Sequence, residues 1–156
     1  MKRRLWLLLL LVIPLFISSC SKEDGDWDPM KWQTEVKKSS DGNIHVSPNG
    51  GTFVFYCKNY SSFWLTEVTE SESKGTEKHF YAEYNDRENF SIKSDWLTAK
   101  CEGNKLTVTI QPTTSNGFRF IKLEIEAGDV FDEFNFRQSG LKTGLYQTGP
   151  YLKNIL

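Results

Sequence analysis

The sequence has little of what most enzymes and metal proteins are built from. It contains two histidines, His45 and His79, and three cysteines among 156 residues. It has no His-x-x-x-His pair and no Cys-x-x-Cys, which excludes a zinc site of ordinary spacing. A Gly-x-Ser-x-Gly elbow and a phosphate loop are also missing. Asp24, Asp26 and Asp28 alternate like the start of a calcium loop, but the sixth position, where that loop needs glycine, is Pro29. Carboxylates are plentiful, yet a glycosidase pair is defined by separation in space rather than in sequence. The expectation is a chain that is not an enzyme and uses no cofactor and no metal. No window outside the N-terminus keeps a helical period, so helix is at most a minor component.

The one long apolar run is Leu5 to Ile17, thirteen residues behind the positive Lys2, Arg3 and Arg4. A helix needs about 20 residues to cross a bilayer, so this run fits a cleaved export signal better than a span. Ile17-Ser18-Ser19-Cys20 follows: an aliphatic residue, two small ones, then cysteine. This resembles the lipobox of bacterial lipoproteins, in which the cysteine sulfur accepts a diacylglycerol before cleavage in front of it. The resemblance implies a signal peptide over 1–19, a lipid on Cys20 and a membrane as partner. Multiple acylation would make that anchor stable, since each buried methylene adds about 0.8 kcal/mol. The Lys22-Glu23-Asp24 run after the cysteine resembles the short charged signal that sends Bacteroidetes lipoproteins to the outer face of the outer membrane.

Loss of Lys2, Arg3 and Arg4 with the leader leaves 16 basic side chains against 20 acidic, a net charge of −4. That balance argues against a nucleic-acid surface and against charge-driven binding to anionic headgroups. Residues 20–43 are short of aliphatics at first and read as a lipidated N-terminus and flexible tether. Trp27 and Trp32, close to the lipid, can serve as interfacial anchors or dock on the domain and shorten the tether. Export makes pairing of Cys57 and Cys101 chemically allowed; the alternative is two separately buried thiols.

From Ile44 onward, short alternating runs are separated by turn residues, the pattern of an all-β sandwich. Thr52 to Cys57 is apolar on both faces and predicts a central strand. Phe63 to Val68 predicts the next strand, and Glu70 to Glu77 a polar connection. Lys105 to Ile110 alternates strictly, Asn116-Gly117 predicts a turn, and Phe118 to Ile125 and Val130 to Phe136 predict the last two strands. Eleven Phe, five Trp and six Tyr supply much apolar surface for one core. The tail, 141–156, has no clear pattern.

Gly50-Gly51-Thr52-Phe53, Asp95-Trp96-Leu97, Leu106 to Ile110, Thr113-Thr114 with Arg119 beyond, Ile125 to Gly128 and Gln138-Ser139-Gly140 stand in an order that resembles the BACON domain. The name stands for Bacteroidetes-associated carbohydrate-binding often N-terminal domain. The resemblance covers about 44–140 and departs from the family in an insertion over 68–94. It implies an immunoglobulin-like β-sandwich of about 7–9 antiparallel strands that binds carbohydrate, a glycan or host mucin, without catalysis. The implied setting is the cell exterior, lipid-anchored to the outer membrane. The alternative is a structural spacer or protein–protein interaction module in an outer-membrane assembly.

Sugars present flat C–H faces on which exposed aromatic rings stack, while polar groups hold the hydroxyls. Candidate ligand-binding residues are therefore Tyr60, Trp64, Tyr81 and Tyr84, with Phe63, Asn59, Asn85 and Asp86 nearby. For Trp64 a place between the sheets is equally open, and Trp96, ahead of an apolar strand, is expected in the core. A binder should gather exposed rings on one face or loop end; a spacer should bury them.

Overall fold

The computed structural model of the chain describes residues 28–73, 75–82 and 90–141. Among these, ten strands form two five-stranded sheets packed face to face as a β-sandwich. In the first sheet the order is β1 (Trp32–Gln33), β3 (Gly51–Cys57), β8 (Lys105–Ile110), β7 (Leu97–Glu102) and β6 (Ser91–Lys93). In the second it is β2 (Ile44–Val46), β10 (Val130–Gln138), β9 (Arg119–Ala127), β4 (Trp64–Glu72) and β5 (Lys78–Tyr81). The pairs are antiparallel except β2 with β10, which run parallel. The strand number exceeds the expected seven to nine, and the added strands are short ones at sheet edges. An edge strand buries only part of its length, so its sequence carries little alternation.

Period-two alternation builds the two inner faces. Leu106, Val108 and Ile110 of β8 and Ile121, Leu123, Ile125 and Ala127 of β9 are buried, with polar neighbours between them. Phe55, Phe63, Phe134 and Phe136 fill the space between the sheets. Truncating a buried Phe of this kind to Ala costs about 3–5 kcal/mol. The β7–β8 and β9–β10 hairpins turn through Gly103-Asn104 and Gly128-Asp129. Gly128 has φ of 62°, the left-handed conformation that a two-residue II′ turn requires at its first central position.

The tether expected to reach residue 43 is shorter. Trp32 turns inward, and its ring meets Phe63 and Phe134 edge-on with centroids 5.2 and 5.0 Å away. Its Nε1–H donates to Asp132 Oδ2 at 2.7 Å. Met30 is buried, and Asn59 accepts from the Lys31 amide while donating to the Pro29 carbonyl. The segment from 28 is thus part of the folded unit. Trp27 and Cys20 lie outside the described residues, as do 142–156.

Three other expectations change. Glu70, Ser71 and Glu72 lie in β4 rather than in the polar connection, and β4 pairs with β5 as a hairpin that runs from Trp64 into the 68–94 insertion. Asn116-Gly117 does not close a hairpin, because 111–118 crosses from β8 in one sheet to β9 in the other. Cys57 and Cys101 are free buried thiols and not a disulfide. They sit in β3 and β7, with β8 between, so their backbones are about 10 Å apart by strand spacing, beyond the roughly 7 Å a bridge allows. Burial pushes the Cys101 thiol up to about 12.

Two motif residues act as ties. The Gln138 side-chain amide donates to the carbonyls of Ser47, Pro48 and Gln111, joining the β2–β3 turn and the β8–β9 crossover to the end of β10. Trp96 packs half-buried against the core, with the Arg119 guanidinium 4.4 Å above its ring. That is a cation–π contact worth roughly 0.5–2 kcal/mol.

Candidate functional site

The outer face of the second sheet carries the exposed rings. Trp64 of β4 and Phe131 of β10 both lie directly opposite Glu126 of β9, one on each side of it. They are 42% and 73% exposed. The two strand spacings between them set the rings about 10 Å apart. The adjacent row runs Tyr81, Glu67, Glu124 and Glu133 across β5, β4, β9 and β10. Tyr81 is 68% exposed.

A register shift between Leu65 and Glu67 makes this grouping possible. Trp64 and Glu67 are three residues apart, and strict alternation would point them to opposite faces. The bulge inserts one residue and resets the alternation, so both reach the outer face while Leu65 and Val68 stay in the core.

Most carboxylates of the face are already engaged. Glu67 accepts from His79 Nδ1 and from the Thr69 hydroxyl. The bond from His79 is the main reason its carboxyl sits below the usual range. Lys122 pairs with Glu124, which raises the Lys122 ammonium. Glu133 accepts from the Asn135 side-chain amide at 2.7 Å. Glu126, half-buried between two rings, has no hydrogen-bond or ion-pair partner among the described residues. The imidazole of His79 lies nearly parallel to Tyr81, with centroids 6.5 Å apart and 12° between the planes. A depression of about 330 Å³ lies beside Phe131, lined also by Glu124, Ile125, Asp132 and Glu133.

Of the residues singled out in the sequence, Trp64 and Tyr81 come together here. Tyr60 does not: its ring packs against the core and its hydroxyl donates to the Asp28 carbonyl at 2.7 Å, which fixes the chain entry. Phe63 is wholly buried. Tyr84, Asn85 and Asp86 lie outside the described residues. Phe131 and Glu126 were not anticipated. The available signal was Phe131 standing out of phase with the inward Val130, Phe134 and Phe136. A second groove, of about 570 Å³, runs beside β3 past the end of β1, with Gln33, Glu35, Thr52 and Tyr56 along it. It has one exposed ring where the other face has three.

Among the described residues, no group of three or more His, Cys, Asp or Glu could hold a metal ion. No family model matches the chain, and no curated protein matches it. Among solved structures, the chain is similar to the NMR structure of a protein from Bacteroides thetaiotaomicron, with 35% sequence identity and a TM-score of 0.60. The match covers 80% of this chain and 98% of that one. By that likeness, the chain belongs to the same family as the Bacteroides thetaiotaomicron protein.

Proposed function

We propose that the chain is a lipoprotein anchored through Cys20 to the outer membrane and facing the cell exterior, and that its BACON-like, immunoglobulin-like sandwich binds glycan or mucin without catalysis. The observation that carries the binding half is the gathering of Trp64, Tyr81 and Phe131 on one sheet face with carboxylates between them. Rings held on a rigid sheet give a preformed stacking surface, so little ordering opposes binding. Carboxylate oxygens beside such rings accept hydrogen bonds from sugar hydroxyls. The family relation to a Bacteroides protein is compatible with the implied setting. A glycan array probed with residues 21–156 tests the ligand. Binding that is lost in Trp64→Ala supports the reading, and no signal across plant and mucin glycans removes it. Cys20→Ala should shift the protein from the membrane to the soluble fraction.

One feature favours the second reading, a spacer or protein-interaction module. Among the described residues, Phe131 is the most exposed large apolar side chain, and it has no polar tip to engage a hydroxyl. In that case Phe131→Ala weakens a protein contact and leaves glycan signals at background.

A further inference from the structure

We infer that the ring-bearing face takes uncharged glycans and turns away sialylated, sulfated and uronic ones; this rests on the glycan reading above. Four carboxylates, Glu67, Glu124, Glu126 and Glu133, occupy two adjacent rows of the face. Of the basic side chains on this outer face among the described residues, Lys122 pairs with Glu124 and His79 bonds Glu67, while Arg137, towards the far end of β10, pairs with Asp41. Among the described residues, none of these basic side chains is left unpaired beside Glu126 to receive an acidic group.

Glu126 sets the choice most directly. Of the four it is the one with neither oxygen engaged among the described residues, and Trp64 and Phe131 flank it. A sugar stacked on either ring places its substituents within about one strand spacing, 5 Å, of Glu126. Neighbouring hydroxyls then donate to its two oxygens. A carboxylate or sulfate in the same place meets like charge within the Debye length of about 8 Å at physiological salt, so screening does not remove the repulsion. The same charges oppose docking on anionic headgroups. They also oppose a face-to-face contact with a second copy, which would set these carboxylate rows against each other.

The test uses residues 21–156 at physiological salt, against neutral polysaccharides and desialylated mucin glycans in one arm and sialylated mucin, sulfated mucin and polygalacturonate in the other. Neutral ligands are expected to bind, and acidic ones about tenfold more weakly. Glu126→Gln keeps an acceptor but removes charge, so it should narrow that gap by raising acidic binding. Trp64→Ala should abolish both, with the fold verified by thermal unfolding. Acidic glycans binding as well as neutral ones, or a gap unchanged in Glu126→Gln, overturns the inference while leaving the glycan reading in place. Absence of binding in both arms overturns the glycan reading itself, and the inference with it.

Discussion

Glu70 lies in β4 with its side chain turned inward, two residues beyond the buried Val68. One oxygen, Oε1, accepts from the Ser94 hydroxyl and from the Trp96 amide, the latter at 2.8 Å, while Oε2 is buried without a partner. One carboxylate therefore ties the second sheet to the β6–β7 turn of the first. Burial is the main influence on its titration and raises its pKa, against the lowering effect of the two donors. The native state then holds this proton at a pH where the unfolded chain, near 4.3, has released it. The associated stability is fully present below the unfolded value and is lost as pH rises through the folded one. Urea unfolding across this range should show a downward slope with pH that Glu70→Gln flattens. An unchanged slope would mean that the carboxylate is not held protonated by burial.

At the scale of the elements, the turn between β2 and β3 depends on one glycine. Gly50 has φ of 72°, and a Cβ there would sit 2.1 Å from the Ile110 carbonyl oxygen. Gly50→Ala should lower stability by about 3 kcal/mol through strain and clash, read as a fall in the urea midpoint at constant m. The long strands were legible because β8, β9 and β10 set their inward residues two apart over six to nine residues, and β3 is a continuous apolar run between turn residues. The segment Glu70 to Glu72 was not, because charge marks a strand as a loop unless its partners are known. The same holds for Trp64. Alternation alone leaves its face open, and the bulge that decides it depends on β9, which lies more than fifty residues further along the chain. Phe131 was hidden for a related reason: in a Phe-rich strand, one ring facing outward looks like its inward neighbours.

Taken as a molecule, the sandwich has two distinct ends. Chain entry at Asp28 to Trp32, the loop at Asn59 and Tyr60, and the Gly103-Asn104 and Gly128-Asp129 turns share one end. The turn at Gly50, the 111–118 crossover and Leu141 share the other. Trp32 fastens the entry segment to the core, through its rings' contacts with Phe63 and Phe134 and through Asp132. Trp32→Ala should cost about 3 kcal/mol and expose residues 28–36 to limited proteolysis. If cleavage is unchanged, the segment is held by its other contacts.

That fastening has a geometric corollary for a protein lipidated at Cys20. Eight peptide units separate Cys20 from Asp28, a contour of at most about 30 Å. The row of Trp64, Glu126 and Phe131 lies at the same end as the chain entry. In the lipoprotein proposed above, the ring-bearing row would therefore ride low, close above the headgroups, and polymer would reach it by lying along the cell envelope rather than by being caught on an extended arm.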